Sequence, residues 1–322
     1  MYKRKFIIDT DTASDDAVAL LMALQSPDVD VLAITEVMGN VDVHQGSINA
    51  RYTVELCGKT TPVHIGCAQP LHRKPVFAHW YHGPDGMGGM NYPAPHAPVA
   101  AGHAVDVIIE LVKAHPGEIT LVTLGPLTNI AVALARAPEI APLVQRCVIM
   151  GGAAVCIGNV TPAAEYNMWV DPEAARMVLR SGMNIELISW ETGIGAAGLT
   201  NDEITHARSI GTPLAQFAID CNVHALRSAR DWLGDPGLII NDAVTMAIAL
   251  DPGIINRQGR YRVDVETQGE LTRGMTVVDL RNVVGTQAEF TDDWAVRTPN
   301  AQVVFTVQPQ LWKEIFFRAI GS

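Results

Sequence analysis

The chain predicts an α/β fold. One domain over residues 1–322 is expected, with a mostly parallel central sheet, helices on both faces and a site at the strand carboxyl ends. Three observations predict it. Short apolar runs alternate with stretches of helical length from the N-terminus to about residue 190, the pattern of repeated strand–helix units. Several of those runs end in polar or glycine-containing turns, at Asp9/Asp11, Asn40, Leu124-Gly125 and Met150-Gly151, where doubly wound sheets bind ligands. The composition, 48% hydrophobic and 18% charged over 322 residues, suits a large buried core.

Each element follows from its own pattern. Phe6 to Ile8 is an apolar run and reads as a buried parallel strand. A helix from about Asp15 to Gln25 follows, with Ser14 as its expected N-cap. Val29 to Thr35 is a second strand, Val43 to Cys57 a helix, and Pro62 to Gly66 a short strand. From Pro70 to Pro98 glycines and prolines break the rhythm around His79-Trp80-Tyr81-His82-Gly83. Imidazoles and aromatics in a long irregular loop suit a mobile flap over a planar ligand.

Order resumes with a helix at Gly102 to Ala114 and a strand at Ile119 to Leu124, and Pro126 suits the first turn of the next helix. Cys147 to Met150 and Asn184 to Ser189 are further strands, separated by an amide-rich loop and a helix opened by Asp171-Pro172-Glu173. Residues 200 to 250 are mainly helical; Asp242 there reads equally as a cap or a ligand. Tyr261 to Val265, Met275 to Asp279 and Val303 to Val307 read as strands added in antiparallel sense, before an amphipathic helix at Leu311 to Ile320.

The densest chemistry lies in Asp9-Thr10-Asp11-Thr12-Ala13-Ser14-Asp15-Asp16. Two like charges about 4 Å apart repel by about 4 kcal/mol at an effective dielectric of 20. Four carboxylates at one strand end therefore stay partly protonated or gather a cation. An all-oxygen donor set favours a hard ion, Ca²⁺ or Mg²⁺. Helix capping accounts for only one or two of these acids.

The formal charge of −11 and the lack of a basic run argue against nucleic acid. Five cysteines without CxxC spacing read as core residues of a reducing cytoplasm. The chain enters a strand at once, leaving no room for a signal peptide, and no apolar stretch approaches 18 residues, so no membrane span is expected.

The stations Asp9-Thr-Asp11-Thr-Ala-Ser-Asp15-Asp16-Ala17, Gly39-Asn40, His82-Gly83-x-Asp85-Gly86, Gly125-Pro126-Leu127-Thr128-Asn129, Met150-Gly151-Gly152, Asn159 through Glu165 to Asn167, and Asp242 resemble, in order and spacing, the inosine-uridine nucleoside hydrolases. The resemblance covers nearly the whole chain and implies a fold related to the Rossmann arrangement. It further implies hydrolysis of ribonucleosides to ribose and free base, a role in purine or pyrimidine salvage, a tightly held Ca²⁺ and a homodimer or homotetramer. Carried over by position, Asp11, Asp16, the carbonyl of Leu124 and Asp242 would hold the calcium. Asp15, Asn159, Glu165 and Asn167 would bind the ribose hydroxyls, with Asn40 supporting the site, Met150 against the sugar and Asp9 beside the metal shell. Asp11 would also be the general base toward a calcium-bound water.

One departure stands out. Many members have His-Asp where this chain has Asn241-Asp242, and an asparagine can donate a hydrogen bond but cannot act as a general acid. The proton for the leaving base would then come from His82. Alternatively Trp80, Tyr81 or Trp232 would stack on the base and help it leave, or the substrate is not a usual nucleoside. His79 and His224 are weaker candidates. Two other functions compete: a haloacid dehalogenase-type phosphatase, for which the Asp9-x-Asp11 pair is a partial match, and a nucleoside- or ribose-binding protein without turnover.

Overall fold

In the computed structural model, residues 3–234, 237–281 and 298–321 are described, with the side chains of Trp232 and Leu233 excepted. The chain begins as β1 (Arg4–Thr10), α1 (Ser14–Gln25), β2 (Val29–Glu36), α2 (Val43–Leu56) and β3 (Val63–Ile65). A single helical turn α3 (His79–His82), α4 (Ala104–Ala114), β4 (Ile119–Thr123), α5 (Thr128–Arg136) and β5 (Val144–Met150) follow. Then come α6 (Tyr166–Val170), α7 (Pro172–Leu179), β6 (Ile185–Ile188), α8 (Asn201–Ile210), α9 (Pro213–Asp220), α10 (Val223–Ser228) and α11 (Asn241–Leu250). The chain closes with β7 (Ile255–Tyr261), β8 (Val263–Val265), β9 (Thr276–Val278), β10 (Ala301–Val307) and α12 (Pro309–Ile320).

Among the described residues eight strands form one sheet in the order β3-β2-β1-β4-β5-β6-β10-β7. All neighbours in it run parallel except β10 and β7. The strand order reverses direction between β1 and β4, so a crevice opens at their carboxyl ends. The unbroken apolar run of β1 follows from burial on both faces: Phe6 and Ile8 pack toward α1, α9, α11 and α12, while Ile7 packs toward α4, α5 and α7. All three side chains are fully buried, each stabilising the fold by roughly 1.5–3 kcal/mol.

Four expectations are corrected. β10 is parallel to β6, not an antiparallel addition; only β7 reverses. The expected strand Tyr261 to Val265 is split, because Tyr261 ends β7 whereas Val263–Val265 pairs with β9 in a separate two-stranded sheet. β7 itself, Ile-Asn-Arg-Gln-Gly-Arg-Tyr, is a half-exposed edge strand with no apolar run to announce it. Ser14 is the first helical residue rather than the cap, since Ala13 takes the N-cap position and the Asp16 carboxylate accepts the Ala13 N–H at 3.0 Å. The segment 70–98 is also less irregular than expected: besides α3, the Asp85 carboxylate accepts the N–H groups of Met87, Gly89 and Asn91.

Candidate active site

The crevice between the carboxyl ends of β1 and β4 widens into a cavity whose floor is acidic and whose upper wall is aromatic. Asp15, Asn40, Leu124, Met150, Asn159, Glu165, Asn167 and Asp242 line the polar part. Trp80, Tyr81, His82, Trp190, Ile239 and Asn241 line the rest.

Asp11 leaves β1 between two glycines. A Cβ on Gly39 would stand 1.9 Å from its Oδ2 and one on Gly125 2.7 Å from its Oδ1, so both turns must lack side chains for the carboxylate to sit here. Oδ2 accepts the Asn40 N–H at 2.6 Å, whereas the buried Oδ1 has no hydrogen-bond partner among the described residues. Oxygens of Asp15, Asp16 and Asp242 converge within 4.8 Å of one another. Asp11 is outside that tightest group but close enough to feel the charges of Asp16 and Asp15. Asp242 lies in the first turn of α11, where no side chain caps the helix.

Electrostatics mark the cluster. Burial first, then the charge of Asp16, raises Asp11 well above the carboxylate range and Asp15 to about 8. Asp242 is raised by burial and by the charges of Asp15, Asp16 and Asp11. Burial raises Asp9 to about 7, against hydrogen bonds from Thr35 at 2.6 Å and Asn129 at 2.8 Å. These groups ionise together only where positive charge offsets their repulsion. Oxygen donors of this kind, with Asp11 Oδ1 and Asp15 Oδ1 buried and without a hydrogen-bond partner among the described residues, fit a hard divalent cation.

The ribose-side candidates are held by backbone. Glu165 caps α6: its carboxylate accepts the Asn167 and Gly152 N–H groups at 2.8 Å each and that of Met168 at 3.2 Å. Asn159 Oδ1 accepts the Tyr166 N–H at 2.9 Å. Asn167 Nδ2 donates to the Leu124 carbonyl at 2.6 Å and lies 3.3 Å from Met150 Sδ. Asn40 Nδ2 reaches Asp16 at 3.3 Å.

On the aromatic side, His82 is buried, with Nδ1 2.8 Å from Ser14 Oγ and 3.8 Å from Asp15 Oδ1. Burial, then His224, lowers its pKa to about 3, so the ring is neutral at pH 7. His224 Nδ1 bonds the Tyr81 carbonyl at 3.0 Å, and His79 stacks on Phe77. Asn241 Nδ2 donates to the Trp190 carbonyl at 2.8 Å, and its Oδ1 sits against Gly193, where a Cβ would be 1.6 Å away. The Trp232 side chain lies outside the described residues.

Sequence reasoning missed Trp190 and Tyr166. Trp190 sits just past β6, one strand end beyond those with obvious polar stations. Tyr166 stands one place after Glu165, and its hydroxyl lies 2.6 Å from both the Gly39 and Val76 carbonyls, pinning the β2–α2 turn.

Residues 6–314 match the model of the inosine-uridine preferring nucleoside hydrolase family. The chain belongs to that family. An uncharacterized protein of Schizosaccharomyces pombe is 40% identical over 98% of this chain and 99% of its own length. The inosine-uridine preferring nucleoside hydrolase of Leishmania major is 37% identical over 86% of this chain and 88% of its own. The solved structure of a plant nucleoside hydrolase superposes with a TM-score of 0.92 at 29% identity, covering 99% of both chains. As a member of this family the chain is a nucleoside hydrolase, and the phosphatase alternative falls.

Proposed function

We propose that this protein, as one catalytic domain over residues 1–322, hydrolyses the N-glycosidic bond of ribonucleosides with a calcium ion in the acidic floor of its cavity. The observation that carries the proposal is the convergence of Asp15, Asp16 and Asp242 beside Asp11, whose buried Oδ1 has no partner among the described residues, with Asp15 and Asp242 lining one cavity together with Asn159, Glu165 and Asn167.

Asp11, Asp16, the Leu124 carbonyl and Asp242 would hold the ion. When bound, it supplies positive charge that keeps the carboxylates ionised and Lewis acidity toward water and the ribose diol. Asp15, Asn159, Glu165 and Asn167 fix the sugar hydroxyls, with Met150 against the ring and Asn40 steadying Asp11 through its N–H and Asp16 through its amide. Asp11 accepts a proton from the attacking water as that oxygen bonds to C1′ and the C1′–N bond breaks. Positive charge grows on the sugar in this step, and the oxygens beneath it stabilise that charge.

The base departs along the aromatic wall. His82, neutral at pH 7, donates a hydrogen bond from a ring N–H to the developing anion, which takes its proton from solvent water as it leaves. Trp80 and Tyr81 offer faces to a planar base. Asn241, tied to the Trp190 carbonyl, holds the wall in place. Among the described residues no helix is long and apolar enough to cross a membrane; with all five cysteines unpaired, a cytoplasmic place fits. A homodimer or homotetramer is the assembly we expect.

Ribose release from inosine and uridine, followed before chelation, after it and after calcium is restored, tests this reading. Release should fall by at least about a hundredfold on chelation and return with calcium. Full activity in the stripped protein would contradict the metal's role. No release from any ribonucleoside by calcium-loaded protein would leave a binding protein.

A further inference from the structure

Behind the acidic floor runs a second polar chain that the reaction as described does not use. β1 and β2 pair with Thr10 opposite Glu36, and Thr10, Thr12, Asp16 and Glu36 are all fully buried. Thr12 Oγ lies 2.7 Å from Glu36 Oε1, the Thr12 and Thr10 hydroxyls are 3.2 Å apart, and Thr10 Oγ is 2.6 Å from Asp16 Oδ1. Among the described residues Glu36 Oε2 has no hydrogen-bond partner, and it faces Gly46, where a Cβ would stand 2.5 Å from it.

The protons in this chain can be assigned by counting. Two hydroxyls carry two protons for three contacts. With both carboxylates ionised, Thr10 donates to Asp16 and Thr12 to Glu36. The two hydroxyl oxygens then face each other with no proton between them, and Glu36 Oε2 is half of a buried charge. One added proton gives every contact one donor; Asp16 already accepts two N–H groups on Oδ2 and is placed as a cation ligand, so the proton belongs on Glu36 and all three contacts point the same way, from Glu36 through Thr12 and Thr10 to Asp16. The unpartnered Oε2 is then only a neutral carbonyl oxygen, which is far cheaper to bury.

We propose that Glu36 is a positioning residue: a buried carboxylic acid that heads a one-way hydrogen-bond relay through Thr12 and Thr10 and aims Asp16 into the cation site. Asp16 Oδ2 is shared by the Ala13 N–H and the Asn40 amide, and the relay supplies the contact on Oδ1 that sets the carboxylate's rotation. Burial also pushes the Glu36 carboxyl well above its ordinary range, opposed by the Thr12 hydrogen bond and assisted by the charges of Asp16 and Asp9. The inference rests on the calcium reading given above.

Two measurements test it: calcium titration of chelator-stripped protein by calorimetry, and infrared difference spectra of wild type minus Glu36→Gln at neutral pH. A glutamine still donates to Thr12, whereas Glu36→Leu and Thr12→Val break the relay at its head and its middle. The spectrum should show the carbonyl stretch of a protonated carboxyl. Glu36→Gln should keep calcium affinity within about threefold, while the two broken relays lose about tenfold or more. Their double mutant should lose no more than the weaker single, as expected of members of one chain.

A missing carboxyl band, or Glu36→Gln as weak as Glu36→Leu, would make Glu36 a charged group and overturn the relay. Unchanged affinity in Thr12→Val would do the same, and that variant serves if Glu36→Leu does not fold. Wild-type protein that bound no calcium would sink the metal reading instead, and the infrared band would still decide the state of Glu36.

Discussion

At the residue scale, Asn241 before Asp242 cannot act as a general acid, which leaves His82 to assist the departing base. Its ring is buried, bonded to Ser14 and within 3.8 Å of Asp15. A group that assists departure matters in proportion to how poorly the base leaves. His82→Ala should therefore lower kcat on inosine or uridine by about a hundredfold. The same variant should lose under about fivefold on a nitrophenyl riboside, whose leaving group needs no such help. Equal losses on both substrates would place His82 in sugar binding or in structure. Asn241 shows how little one letter reveals. The sequence shows which acid is absent, but only the fold shows the amide tied to the Trp190 carbonyl.

At the scale of elements, the site depends on turns without side chains. Gly39 follows β2 and Gly125 follows β4, and a Cβ at either would collide with the Asp11 carboxylate. Gly39→Ala should thus displace Asp11 and lower kcat by at least about a hundredfold, as loss of a general base would; a wild-type rate would show that Asp11 does not work from this cradle. Elements buried on both faces were legible, because Phe6–Ile8, Val29–Thr35 and Ile119–Leu124 are apolar runs of strand length closed by polar turns. β7 was not, since an edge strand needs no apolar face. The direction of β10 was hidden too, as strand sense is set by the path of the chain and leaves no mark on Ala301–Val307. The carboxylates of the floor stood out by their density in sequence. The Thr10, Thr12 and Glu36 relay did not, because its members look like ordinary strand and turn residues until β1 and β2 are paired.

At the scale of the whole molecule, the acidic floor carries a cost that depends on pH. Asp9 and Asp15 have folded pKa values of about 7 and about 8 against an ordinary 3.8. Between those limits the folded chain holds protons that the unfolded chain has released, so stability falls as pH rises. With respect to these groups chelated protein should be most stable below about pH 4 and lose melting temperature steadily toward pH 8. Calcium should restore most at the alkaline end, where the carboxylates it needs are cheapest to ionise. A melting profile that rises with pH in the chelated protein would contradict the assignment of a crowded, uncompensated acid cluster.

The most direct measurement for the whole account compares kcat/KM for inosine and 2′-deoxyinosine on the calcium-loaded protein. A site whose buried oxygens and cation are arranged around a ribose diol leaves those groups unpaired when the 2′-hydroxyl is missing. The deoxynucleoside should lose at least about a thousandfold. Comparable rates on the two substrates would contradict it, because the cluster at the end of β1 would then have no ribose to read.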